Sequence, residues 1–278
     1  MKIALIGCGG LGTSLALGLL RSKVSDLELR LCDHNQSKMD LIVSEFPSLK
    51  IATSLFVKNV VKDAEIIIVV VKPGDLERTL TQLKEDLAPQ ALLVSCAAGV
   101  QIDFIAKVIG KKCAVARAMP NTAVAVAGGT VGTFLGPNCD QKRDEERLNY
   151  VFGVLGSVRA VHAEELLHAV TALSGCGPAF ALLFLEALID AGVRAGLSRS
   201  EADFFAKGAL RSATVLVDHV ALPPSDLRAQ ITSPGGVTAE GLYQLERMAF
   251  RYAIMEAVDA SKKKSEQINY LEQATIVK

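Results

Sequence analysis

Directly after a short apolar run, Lys2–Ile6, the chain reads Gly7-Cys8-Gly9-Gly10-Leu11-Gly12 and then becomes amphipathic. Few stretches constrain a fold more. Gly7 permits a tight turn, Gly9 lets backbone approach a pyrophosphate, and Gly12 allows a helix to pack closely on the strand before it. The helix N-terminus then faces the phosphate charge. A glycine-rich turn is common by itself, but Asp33 ends the next apolar run roughly twenty residues on, where a dinucleotide fingerprint places an acid. Gly7, Cys8, Gly9, Gly10, Leu11, Gly12 and Asp33 are therefore the expected cofactor-binding set. A carboxylate at Asp33 favours NAD over NADP, while His34, Asn35 and Lys38 beside it can make room for a 2′-phosphate. The choice stays open on these residues.

The first half alternates strands with helices. Apolar or β-branched runs occur at 2–6, 27–32, 66–71, 92–95 and 114–118, separated by amphipathic stretches at 14–21, 37–46, 75–87 and 103–109. Strands without polar alternation are buried on both faces, which predicts a doubly wound parallel sheet of Rossmann type. A weaker pair, 130–134 and 158–161, brackets a helix at 142–155 and extends the same sheet. After about His162 only helical periodicity remains, at 164–173, 179–192, 200–219 and 238–261, with breaks at 175–178, 197–198 and 223–224 and N-caps at Ser198, Ser225 and Thr238. The expected organisation is a dinucleotide-binding domain over 1–162 and an all-helical substrate-binding and dimerisation domain over 163–278. The helices are apolar on more than one face, so at least a dimer is expected to cover them.

With 30 basic and 30 acidic residues the chain has no cationic excess for a phosphate backbone, and nucleic acid is an unexpected partner. Lys262-Lys263-Lys264 suits the end of a helix. The six cysteines form no C-x-x-C pair and stand at no metal-ligand spacing, so no metal is expected and a reducing, cytoplasmic location is. The N-terminus has no leader pattern. The uncharged stretch 169–185 contains Ser174-Gly175-Cys176-Gly177-Pro178, which is expected to break any spanning helix.

Four further segments fall at strand ends or in the helical half: Val71-Lys72-Pro73-Gly74, Ser95-Cys96-Ala97-Ala98-Gly99, Met119-Pro120-Asn121-Thr122, and 227–242. Each alone is ordinary turn chemistry. Their recurrence beside the crevice of an open sheet argues for a ligand site. Within the last, Thr232-Ser233-Pro234-Gly235-Gly236-Val237-Thr238 makes a tight loop whose N–H groups converge at a helix start, a compact carboxylate receptor. Thr238 either caps that helix or offers its hydroxyl to a ligand.

On these motifs, and on Leu173-Ser174-Gly175-Cys176-Gly177-Pro178-Ala179, the whole chain resembles the pyrroline-5-carboxylate reductases, which catalyse the last step of proline synthesis. The resemblance implies that Val71, Lys72, Pro73, Cys96, Ala97 and Ala98 line NADP(H), with NAD(H) also possible, and that Asn121 lies near the nicotinamide. It implies that Ser233, Gly235, Gly236 and Val237 receive the substrate carboxylate, that Thr238 reaches the ring nitrogen as the catalytic side chain, and that Glu164 can touch the substrate. It also implies homodimers through the helical half and possible rings of dimers. The chain departs from the family at Cys176 (usually serine), Ala123 (proline), Gln230 (asparagine in some members) and 55–57, where a cofactor-contacting asparagine is missing.

The reaction so implied is hydride transfer to the C=N bond of 1-pyrroline-5-carboxylate. It explains why no histidine or lysine stands in an obvious general-acid position, since a protonated imine is already electrophilic. A β-hydroxyacid dehydrogenase would need a helical lysine, for which Lys207 is the only candidate. A dinucleotide sensor would have no use for the loop 232–238.

Overall fold

The computed structural model describes residues 1–22, 24 and 27–275, the last seven of these by backbone alone. Eight strands form one sheet in the order β3-β2-β1-β4-β5-β6-β7-β8. They are β1 (Lys2–Ile6), β2 (Glu28–Cys32), β3 (Ala52–Ser54), β4 (Ile66–Val69), β5 (Leu92–Ser95), β6 (Ala114–Pro120), β7 (Gly129–Leu135) and β8 (Gly156–Ala160). All pairings are parallel except β6 with β7. Side chains alternate across the pleat. Ile3, Leu5, Ile66, Ile68, Leu92, Val94 and Ala116 enter one core, while Ala4, Ile6, Ile67, Val69, Leu93 and Val115 enter the other. Both faces are buried, which is why these strands read as unbroken apolar runs.

The helices that cover the sheet are α1 (Gly10–Arg21), α2 (Gln36–Ser44), α3 (Lys58–Val61), α4 (Pro73–Leu83), α5 (Ile102–Ile109) and α6 (Gln141–Gly153), followed by α7 (Leu166–Val170). The strand order reverses between β1 and β4, so the segments after Ile6 and Val69 face each other at the switch point where open sheets bind ligands.

The compact units divide the chain elsewhere than between 162 and 163. Met1–Cys176 and Ala260–Lys278 form one, and Gly177–Asp259 the other. The second holds α8 (Gly177–Arg194), α9 (Arg199–His219), α10 (Pro224–Gln230), α11 (Val237–Arg247) and the start of α12 (Phe250–Thr275). Its small core is Ile189, Ala202 and Ala206 with Leu185 and Leu188. Much larger apolar side chains lie outside it: Leu182, Leu183, Phe204 and Phe205 are all at least 60 % exposed.

Four expectations about the helical half are corrected, three of helix bounds and one of caps. Ser174–Pro178 does not break the chain, because a π-turn, Thr171–Gly175, carries α7 into α8. The resulting helix, Leu166–Arg194, is long and apolar enough to cross a membrane by length and composition. The pattern over 238–261 is two helices, parted at Ala249, which takes φ +56°. Finally, the chain does break after His219, through Pro223, but Pro224 already begins α10; a proline at the first helical position forfeits an N–H that has no helical partner anyway. Ser198 caps α9 as expected, with Glu201 reciprocating. Ser225 and Thr238 do not cap, since Pro223 and Gly236 occupy those positions.

Candidate active site

At the head of the first unit, Gly7 has φ +100° and donates its N–H to the Cys32 carbonyl at 2.8 Å. A side chain here would meet the Val70 carbonyl oxygen at 2.3 Å, and one at Gly12 would lie 1.8 Å from the Gly7 oxygen. Around Gly9 and Gly10 the space is open. Gly9 caps α1 without a side-chain bond, so the first N–H groups of α1 are left for a ligand. This cradle fits a pyrophosphate.

Backbone bonds from Val70 to Ile6 (2.7 Å) and from Cys96 to Val69 (2.9 Å) carry the ladder past the strand ends. They align the glycine turn with Val71-Lys72-Pro73 and with Cys96-Ala97-Ala98. Lys72 caps α4, with Pro73 at its first position. Burial in the core pushes the thiols of Cys8 and Cys96 up to about 12, so both are neutral groups. α1 packs on the Thr122–Val126 turn through Gly18, where a Cβ would come within 2.2 Å of the Val124 oxygen. That contact packs the turn that Asn121 caps, at the tip of β6, against α1.

Asp33 is turned inward, only 6 % exposed. Its Oδ2 accepts the Cys8 N–H at 2.7 Å and its Oδ1 accepts the Asn35 N–H at 2.9 Å. His34 Nδ1 and Lys38 Nζ stand 3.3 and 3.8 Å from Oδ1. The carboxylate thus fastens the glycine turn to the turn before α2, with positive charge beside it.

Arg117 escaped the motif reading and is the largest of the fully buried side chains. From β6 its Nη1 donates to Glu164 Oε1 at 2.9 Å and its Nη2 to the Ala97 carbonyl at 3.4 Å, while Nε is buried without a partner among the described residues. Burial lowers its pKa, and the Glu164 carboxylate opposes that shift. Glu164 Oε1 also accepts the Ile102 N–H at 2.8 Å. It thereby supplies the start of α5 with the anionic acceptor that Gln101, its cap residue, does not provide. The only signal of this arrangement in the sequence was a charge inside an apolar strand.

In the second unit, Ser233-Pro234-Gly235-Gly236 closes a turn by a Gly236 N–H to Ser233 carbonyl bond of 3.0 Å. Gly235 at φ +67° follows the proline, the residue order of a type II turn. A Cβ on Gly236 would strike Ser233 Oγ at 2.3 Å. Gly236 caps α11 without a side chain. Val237 is 95 % exposed, and Thr238 is exposed inside the first turn, its hydroxyl without a hydrogen bond among the described residues. Thr232 spends its hydroxyl on the Arg228 carbonyl. Lys207, the candidate of the dehydrogenase reading, is exposed and paired with Asp203 at 2.7 Å.

Comparison with known proteins agrees with this layout. Residues 164–268 match the family model "Pyrroline-5-carboxylate reductase dimerisation", and residues 2–99 match "NADP oxidoreductase coenzyme F420-dependent". A pyrroline-5-carboxylate reductase of Arabidopsis thaliana is 33 % identical over 96 % of this chain and 95 % of its own. That of Escherichia coli K12 is likewise 33 % identical, over 96 % and 98 %. The crystal structure of the Plasmodium falciparum pyrroline carboxylate reductase with NADP bound superimposes with a TM-score of 0.85, at 29 % identity, covering 97 % of this chain and 98 % of that one. The chain belongs to the pyrroline-5-carboxylate reductase family.

Proposed function

We propose that the protein reduces 1-pyrroline-5-carboxylate to L-proline with NADPH. The observation that carries the reading is the turn at Ser233–Gly236. It leads into a helix start whose N–H groups lack a side-chain cap, with the exposed Thr238 hydroxyl one residue into α11. Ser233, Gly235, Gly236 and Val237 hold the substrate carboxylate there, as an anion at a helix N-terminus. The Thr238 hydroxyl accepts from the iminium N–H or relays a proton to the ring nitrogen from water. Bound nicotinamide in its reduced form supplies the hydride to the imine carbon. The chain's own contribution is mainly orientation, because a protonated imine needs little further activation.

Gly7 to Gly12 cradle the pyrophosphate, and Val71, Lys72, Pro73, Cys96, Ala97 and Ala98 flank the cofactor, with Asn121 near its nicotinamide end. Asp33 faces the glycine turn, and Lys38 and His34 lie beside it, which supports a 2′-phosphate and hence NADPH over NADH. Glu164 frames the site through Oε1, which it shares with Arg117 and Ile102. The helical half, 163–278, forms the homodimer. Its exposed Leu182, Leu183, Phe204 and Phe205 are the surface for a second copy rather than for lipid, and dimers assemble further into rings. Neither nucleic acid nor membrane is a partner, and the six free thiols suit the cytoplasm.

The test is oxidation of NADPH and of NADH with pyrroline-5-carboxylate over a range of both. Saturable imine-dependent oxidation, stronger with NADPH, is expected. Tight cofactor binding without any imine-dependent turnover would leave a sensor as the reading.

A further inference from the structure

The π-turn between α7 and α8 carries a carbonyl that Asn121 reaches. Gly132 in β7 lets the helix come close: a Cβ there would lie 2.6 Å from Val170 Cγ1. Just beyond Val170 the ladder widens, and the Cys176 N–H reaches back five residues to the Thr171 carbonyl at 2.9 Å. Two residues later comes Pro178, which has no N–H. The carbonyl four residues before it, that of Ser174, therefore has no helical donor to receive from that position. Asn121 fills the gap. Its Nδ2 donates to the Ser174 carbonyl at 3.2 Å, and its Oδ1 accepts the Ala123 N–H at 3.2 Å. The side chain is buried, 9 % exposed, so its amide is committed at both ends.

We infer that Asn121 is a positioning residue, which fixes the loop at the tip of β6 by capping the Ser174 carbonyl that Pro178 leaves without a helical donor. The inference rests on the proposed reduction only in taking that loop to border the nicotinamide. Backbone carbonyls withdrawn from water are almost always paired, and here the pairing of a half-buried one joins a sheet-end loop to a helix.

The experiment uses the full chain with Asn121→Asp, Asn121→Ala, Pro178→Ala and the double variant Asn121→Ala with Pro178→Ala. Thermal midpoints are measured together with kcat and KM for NADPH. Asn121→Asp still accepts from Ala123 but cannot donate to Ser174. It should raise KM for NADPH about tenfold, the equivalent of one hydrogen bond's net free energy, with a smaller effect on kcat. Asn121→Ala should lower the midpoint, and Pro178→Ala, which returns an N–H to the helix, should recover most of that loss while changing little alone. Additive midpoints in the double variant, or Asn121→Asp behaving like the parent, would overturn the inference. Because the midpoint reads the coupling without turnover, a protein that showed it yet failed to reduce the imine would refute the proposed reaction alone.

Discussion

The Arg117 guanidinium and the Glu164 carboxylate meet at 2.9 Å and tie the middle of the sheet to the segment that enters α7. Arg117 is 2 % and Glu164 18 % exposed by side chain, so neither charge is well solvated. Removing one partner of such a pair leaves the other stranded, and that loss exceeds what the pair itself contributes.

Glu164→Ala should accordingly destabilise the protein by about 3 kcal/mol. Glu164→Gln, which keeps an acceptor for Ile102, should cost less than half as much. Urea unfolding midpoints check this. A raised KM for the imine with an unchanged midpoint would mark Glu164 as a substrate ligand and little else.

Asp33 carries a second expectation. Its carboxylate holds the Cys8 N–H and is only 6 % exposed, so Asp33→Ala should loosen the glycine turn for either cofactor. KM for NADPH and NADH should rise together, each by roughly tenfold for the loss of about one charged hydrogen bond. A gain for NADPH alone would instead show a carboxylate that faces the ribose.

Thr238→Ala should lower kcat/KM for the imine by about tenfold, the share of one oriented hydrogen bond, and Thr238→Ser should restore most of it. Steady-state kinetics at saturating NADPH measure both. Complete loss in a folded, cofactor-binding variant would make the hydroxyl an obligate acid.

Stability should also depend on His168. Its Nδ1 lies 2.9 Å from Ser265 Oγ, and its pKa is held below the ordinary 6.5, first by burial and then by the Arg117 charge. Lys262 acts in the same sense, while Glu266 and Glu164 oppose it. The unfolded chain therefore binds the proton first as pH falls below 6.5, and stability drops through that window. His168→Gln should flatten the drop between the unfolded and folded values, as read from denaturation midpoints at a series of pH values.

The sequence was most legible where the signal is local. The glycine turn, Asp33 at the end of β2 and the apolar strands of the sheet each follow from a few adjacent residues, and the structure has them where they were expected. β3 escaped because Ala52–Ser54 is three residues at a sheet edge, too short for periodicity. The break between α11 and α12 carries no glycine or proline, only Ala249 in a left-handed conformation. Ser174–Pro178 misled for the opposite reason. Its breakers are present, but the helix runs through them by a π-turn, and a side chain 53 residues away supplies a donor to the Ser174 carbonyl. Arg117 was equally hidden, since its partners lie on two other segments and no spacing announces them.

The last helix returns to the first unit. Ser265 bonds to His168, and its backbone oxygen sits where a Cβ on Gly99 would be only 2.9 Å away. A ribosome building this chain therefore releases the sheet long before it releases the piece that seals the sheet's rim. The amino-terminal half waits for α12 before His168 and Gly99 gain their partner, so a premature stop in the helical half damages the first unit as well.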